Sequence, residues 1–193
     1  MKMIFGSRQD FAIEVMMEPD LTPPSAVYGR MRVWCKGVQF GDFSDPRCAL
    51  YPAYLGFKEL LQILPELWLE DLDGLGDLQL ADRVDLLLYG ARGDQLIDDA
   101  RTVDECQRDW RIHRRFSFLN NWGEQFDRDT KSFIFCPPSR KVKILVRTSD
   151  VEEVISLQTS LLDVTTAIQH FLKWFEDSAA LLSEPPHPRS NQS

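Results

Sequence analysis

Alternation of apolar and polar residues near the start of the chain is the feature that most constrains its fold. Apolar or small residues stand at every second position of Phe11–Met17 and again from residue 27 to residue 35. This period of two is typical of strands with one buried face. Lys36-Gly37 then predicts a tight turn into Val38–Phe40, because glycine readily adopts the positive φ that a two-residue hairpin turn needs. The N-terminal part of the chain is therefore predicted to be an antiparallel hairpin.

Helical spacing dominates the middle of the chain. Apolar residues at positions 57, 60, 61 and 64 predict one helix, which Pro65 ends. Those at positions 80, 84, 87 and 88 predict a second helix, which Gly90 closes as a C-cap. Residues 91–110 show no clear period, so no element is predicted there.

Strand patterns return before a long C-terminal helix. Residues 132–148 predict a second hairpin with its turn at 137–140, and Ser149 and Glu152 form a capping box for a helix with an apolar stripe from Leu157 to about Leu182. The proline-rich tail, residues 183–193, is predicted to be disordered. This order of elements predicts an α+β fold in one domain over residues 1–182. In it, an antiparallel sheet built from two or more hairpins packs against the middle helices and the long C-terminal helix.

Composition limits the classes of binding partner and the cellular location that we expect for the protein. The 193 residues include 22 lysines and arginines against 30 aspartates and glutamates, for a net charge of −8. A protein with a negative net charge repels the phosphates of a nucleic acid backbone, so we expect no nucleic acid partner. No segment approaches the roughly 20 apolar residues of a membrane helix, and no signal peptide is recognisable. We therefore expect no membrane contact and a cytoplasmic location.

Nucleophilic and metal-binding residues form no recognisable motif. The four cysteines lie far apart without a C-x-x-C pair, and the three histidines lack the spacing of zinc ligands. We therefore expect no metal, no cofactor and no catalytic residue. A thiol-dependent enzyme stays open as an alternative, because a cysteine and a histidine distant in sequence can meet in space.

Negative charge is concentrated in residues 66–109, which we call the acidic segment. It holds 13 acidic residues and four arginines, for a net charge of −9, whereas residues 111–147 carry +6. One interpretation is a solvated face; the other is a surface that attracts a basic partner. Trp68 within the segment and Trp110 directly after it are candidate apolar anchors. The predicted partner-binding residues are Glu66, Trp68, Glu70, Asp71, Asp73, Asp77, Asp82, Asp85, Asp98, Asp99, Asp104, Glu105 and Trp110.

Four short motifs in the first 45 residues are similar to those of a known family. They are Ile4-Phe5-Gly6, Phe11-Ala12-Ile13-Glu14, a strand from Tyr28-Gly29 to Trp34, and Gly41-Asp42. Together they resemble the immunity protein 42 family of bacterial polymorphic toxin systems. Sparser similarities continue to about residue 175. The acidic segment matches no pattern of the family, so the hypothesis that it is an insertion stays open.

The resemblance implies a small cytoplasmic protein that is encoded beside a toxin and neutralises it by stoichiometric occlusion, without catalysis. Many toxins of these systems are nucleases with basic active-site clefts, which an acidic surface would plug. The implied partner is thus a cognate toxin domain, with a basic nuclease as one form. A homodimer stays open, and a general protein–protein adaptor is the alternative function.

Overall fold

In the computed structural model of the chain, which describes residues 2–126, 130–148 and 153–183, the N-terminal segments form a five-stranded antiparallel sheet. Its strands are β1 (Lys2–Gly6), β2 (Phe11–Met17), β3 (Tyr28–Cys35), β4 (Val38–Phe40) and β5 (Cys48–Ala49). They pair in the order β1-β2-β3-β4, and β5 also pairs with β3. The predicted hairpin turn is confirmed, because Lys36 and Gly37 both have positive φ, 50° and 78°, as a type I′ turn requires.

Close pairing of β2 with β3 depends on the glycine of the Tyr28-Gly29 motif. A Cβ atom at position 29 would lie 2.3 Å from the backbone oxygen of Met16. Nonbonded atoms do not approach so closely, so any other residue at this position would push the two strands apart.

The second sheet confirms one hairpin and corrects the start of the C-terminal helix. Its strands β8 (Thr130–Phe135), β9 (Lys141–Thr148) and β10 (Val154–Ser160) pair antiparallel in the order β10-β9-β8. Residues 154–160, predicted as helix, are thus a strand, and Leu157 lies opposite Ile144. The i,i+4 pair Leu157 and Leu161 misled the prediction, whereas burial within β10 alternates. The predicted capping box at Ser149 and Glu152 lies outside the described residues.

Four α-helices occur within the described residues. They are α1 (Tyr51–Ile63), α2 (Asp77–Tyr89), α3 (Val103–His113) and α4 (Leu161–Ser183). The C-cap of α2 is confirmed, because Gly90 has a φ of 64°. Helix α4 begins after Ser160, whose Oγ accepts a hydrogen bond from the backbone N–H of Asp163 at 3.0 Å.

Residues 91–113 form elements that the apolar periodicity of the sequence does not predict. Two short strands, β6 (Ala91–Arg92) and β7 (Gln95–Leu96), form a hairpin, and α3 follows. The signal was present in the sequence, since Thr102 and Glu105 cap α3 reciprocally. It was missed because α3 buries only His113 and so lacks an apolar stripe.

The helices pack on both sheets, which confirms the α+β class. Helix α4 packs on β1 and β2 and against α1, while α2 packs on β9, β10 and α3. Buried side chains from Phe11 to Leu182 form one continuous hydrophobic cluster, which the acidic segment joins through residues such as Leu80 and Val84. None of the helices in the described part of the chain is long and apolar enough to cross a membrane.

Candidate partner-binding surface

Asp85 of the acidic segment is the centre of an internal ion cluster. Its side chain is fully buried, and Oδ1 accepts a hydrogen bond from Lys131 Nζ of β8 at 2.9 Å. Oδ2 accepts the backbone N–H of Gly93 at 2.6 Å and lies 3.5 Å from Arg147 Nη1 of β9. The opposite charges of the acidic segment and of residues 111–147 therefore meet inside the protein.

Two further acids of α2 are paired with β9 in the same way. Asp77 contacts Lys143 Nζ at 2.5 Å, and Asp82 contacts Arg147. Burial alone would raise the pKa of Asp77, but the hydrogen bonds from Lys143 and Ser156 outweigh burial and lower it. These two predicted partner-binding residues already form ion pairs within the chain, and the pairs connect α2 to the second sheet.

Acids between α2 and α3 stabilise the local backbone. Asp99 contacts Arg101 Nε at 2.5 Å, and Asp98 accepts a long bond from the backbone two residues further on. Glu105 accepts from the backbone N–H of Thr102 at 2.8 Å, and this bond lowers the pKa of Glu105. Their contacts are those of loop and cap residues.

The remaining predicted acids are exposed. Asp71 makes only a loose pair with Arg83, at 3.7 Å. Asp104 lies in the first turn of α3, where its charge suits the positive end of the helix dipole. These exposed acids are Glu66, Glu70, Asp71, Asp73 and Asp104, and the loop acids Asp98 and Asp99 are exposed as well.

The two candidate tryptophans have different surroundings. Trp68 is half-buried, donates from Nε1 to Asp73 at 2.8 Å and packs edge-on against Phe135. It therefore braces the loop before α2. Trp110, by contrast, is 46% exposed on α3, one face of which also presents Val103, 72% exposed.

A cleft of about 220 Å³ opens beside Trp110, between the end of α3, α1 and residues 117–122. Tyr89, Trp110 and Trp122 line it together with Arg114 and Arg115. Of these five residues, Trp110 alone is predicted from the sequence. The available signal was the i,i+4 spacing of Trp110 and Arg114, whose guanidinium lies 5.2 Å from the indole centroid.

Two observations bear on a metal site or a cysteine nucleophile in the described part of the chain. Within the described residues, one possible set of metal ligands comes together, namely Asp45, Cys48 and Glu124, whose ligand atoms lie within 4.8 Å of one another. Burial, assisted by the charge of Asp45, raises the pKa of Cys48 to about 11, so this thiol is protonated at neutral pH. Burial likewise raises the pKa of Cys35 to about 12, so this thiol is also protonated at neutral pH.

Comparison with known families decides the class of protein. The sequence profile described as Immunity protein 42 matches residues 3–174, which is most of the chain. The chain belongs to the immunity protein 42 family. The prediction of a toxin immunity protein is thereby confirmed.

The fold of this immunity protein is similar to that in a solved structure. The crystal structure of CdiI from Burkholderia dolosa AUO158 aligns with a TM-score of 0.57, covering 89% of this chain and 99% of that chain at 10% sequence identity. At that identity the likeness concerns the fold alone. No curated protein sequence matches this chain.

Two motif residues of this immunity protein, Glu14 and Trp34, are bonded to each other. Glu14 is fully buried and accepts from Trp34 Nε1 at 2.7 Å and from Arg32 Nε at 2.9 Å. Arg8 and Lys2 complete the cluster. Burial alone would raise the pKa of Glu14, but the bonds from Arg32, Lys2 and Trp34 outweigh burial and lower it to about 2. The contacts of Glu14 connect β2 with β1 and β3, so these motif residues have a structural role.

Proposed function

We propose that this immunity protein neutralises its cognate toxin by stoichiometric, non-catalytic binding, and that the contact surface consists of the exposed acids of residues 66–109 together with Trp110. The observation that carries the proposal is the exposure of Trp110 on α3, beside a cleft and next to an acidic stretch. Tryptophan, tyrosine and arginine dominate the binding energy of protein interfaces, and all three line this cleft.

Charge supports a basic toxin surface as the partner. Asp77, Asp82 and Asp85 are consumed by pairs inside the protein, so the proposal is limited to the exposed acids Glu66, Glu70, Asp71, Asp73 and Asp104. Such acids accelerate encounter with a basic surface. We include a nuclease as the toxin's activity and the cytoplasm as the site of action, because the resemblance to the family implies both.

Purified toxin domain from the adjacent gene provides the test. Binding is measured by surface plasmon resonance, and protection by residual toxin activity. Trp110→Ala is expected to weaken binding by at least about 2 kcal/mol, roughly 30-fold, as for an interface anchor. Tyr51→Ala is the matched control, because Tyr51 is an aromatic residue 55% exposed on α1. Equal losses in both variants would contradict the proposed surface.

Charge reversal tests the electrostatic part separately. Asp71→Lys with Asp104→Lys is expected to slow association and to flatten its dependence on salt, because both carboxylates are exposed. Asp177→Lys on α4, whose side chain is 65% exposed, is the control. Before the binding experiments, light scattering measures the molar mass of the protein alone and so tests whether it is a homodimer. Unchanged association rates would move the interface away from the acidic segment.

A further inference from the structure

The cleft beside Trp110 has an excess of hydrogen-bond donors. The side chain of Arg114 is 55% exposed, and its only ion pair within the described residues is a loose one, with Glu59 at 3.9 Å. Arg115 donates a long bond from Nη2 to the backbone oxygen of Trp68 at 3.4 Å. Its Nε is buried and has no hydrogen-bond partner among the described residues. A buried donor without an acceptor is costly, and Arg115 lacks one acceptor among these residues. The exposed side chain of Arg114 is the part of the pair that an incoming acceptor can reach directly.

The walls of the cleft are held in place by packing. Trp122 packs edge-on against Phe57 with ring centroids 5.0 Å apart, and it leaves no room for a side chain at Gly56. In the turn directly before Trp122, Leu119 and Asn121 have positive φ, 63° and 61°, a conformation that such residues seldom adopt. The cleft is therefore a preformed shape, which favours binding because little ordering is needed.

The charge of the cleft differs from that of the acidic segment beside it. Arg114 and Arg115 line the cleft, and Arg101 and Arg111 line the adjoining groove along α3. Among the described residues, Glu59 is the only acid that lines either. Helix α3 thus presents acids in its first turn and both Trp110 and Arg111 in its last turn, and Arg114 and Arg115 follow directly after it. A partner that fits this helix carries a basic part and, next to it, an acidic part.

We infer that the cleft receives a carboxylate side chain, aspartate or glutamate, from an acidic loop of the toxin, seated against Trp110 and bonded by Arg114 and Arg115. The inference rests on the proposed function and specifies its chemistry. Arginine's planar fork matches a carboxylate with two parallel hydrogen bonds, and the aromatic wall excludes water from them.

Arg114→Glu tests the inference with the same toxin domain. We expect binding to weaken by about 30-fold or more, because a carboxylate would then face a like charge. Lys173→Glu on α4 is the control, since Lys173 is also exposed, at 77%, and also has one acidic partner. Equal urea midpoints of the variants and the wild type show that the fold is intact. Replacement of single acids in the toxin by lysine should identify one change that restores binding to Arg114→Glu.

The outcomes separate this inference from the proposed function. If Trp110→Ala weakens binding while Arg114→Glu binds like the wild type, the carboxylate inference is overturned and the proposed surface stands. If Arg114→Glu weakens binding but no acid-to-lysine change in the toxin restores it, the inference is likewise overturned. If the wild-type protein forms no complex, the proposed function itself fails. Quenching of tryptophan fluorescence by adenosine monophosphate, lost in Arg114→Glu, would make the cleft a small-molecule site instead and would also overturn it.

Discussion

Asp85 provides the sharpest test of the internal charge pairing. Replacement by alanine removes the acceptor for Lys131 Nζ at 2.9 Å, for the backbone N–H of Gly93 at 2.6 Å and for Arg147 Nη1 at 3.5 Å. The side chain of Arg147 is only 7% exposed, so water cannot replace the lost carboxylate there. The variant therefore leaves a buried cation with less than its full complement of partners.

The expected cost follows from what each partner retains. Removal of one member of a buried ion pair costs about 3–5 kcal/mol. Arg147 keeps its contact with Asp82, and Lys131, 30% exposed, keeps the backbone oxygen of Gly93 at 2.7 Å. These residual contacts place the expected loss at the lower end, about 3 kcal/mol. For a protein of this size, that loss lowers Tm by about 6–12 °C.

Urea unfolding followed by tryptophan fluorescence measures the loss. Asp71→Ala is the matched control, because Asp71 is an exposed acid of the same segment with one loose pair at 3.7 Å. Its removal is expected to change stability by less than about 0.5 kcal/mol. A loss below about 1 kcal/mol for Asp85→Ala, with an unchanged m-value, would refute the account of α2 as fastened by ion pairs.

Three further variants and reactions test local features. Folding lowers the pKa of the Glu14 carboxyl to about 2, and such a carboxyl stabilises the protein only while it is ionised. The wild-type protein should therefore lose its stability advantage over Glu14→Gln as pH falls from 4.5 to about 2. Equal urea midpoints of the two proteins at neutral pH would contradict this. Gly56→Ala should lower stability by about 1–3 kcal/mol, since its Cβ would lie 2.4 Å from the ring of Trp122, and a thermally more stable variant would disprove the packing. A disulfide reagent should label half-buried Cys106 before buried Cys35, whose pKa is raised to about 12, and equal rates would be inconsistent with the structure.

Local patterns in the sequence predict strand β2 and helix α2, although β2 is buried on both faces rather than on one. The strand with Ile13 and the helix with Leu80 were both predicted, because their apolar residues recur at the period of the element. Residues 154–160 were assigned to a helix because Leu157 and Leu161 share helical spacing across the actual boundary at Ser160. A strand is decided by its partner, here β9, and no local pattern contains that information.

The candidate surface depends on which charged and aromatic residues contact each other. The sequence shows that these residues are present, but it does not show which of them are partners. The opposite charges of two regions were evident, yet Asp85 and Lys131 are 46 positions apart, and only the fold joins them. Burial of Trp68 and exposure of Trp110 likewise follow from packing against Phe135 and from the open side of α3. The cleft with Arg115 and Trp122 is formed by separate elements, which composition alone does not bring together.

Titration of the toxin's activity with this immunity protein tests the central claim most directly. The purified toxin domain from the adjacent gene is held at a concentration well above the dissociation constant, and increasing amounts of the protein are added. Stoichiometric binding predicts that activity falls linearly and is lost at one equivalent, with an equimolar complex on gel filtration. Full toxin activity in the presence of excess protein, without a complex, would contradict the claim, and complete inhibition by a small fraction of an equivalent would contradict its non-catalytic nature.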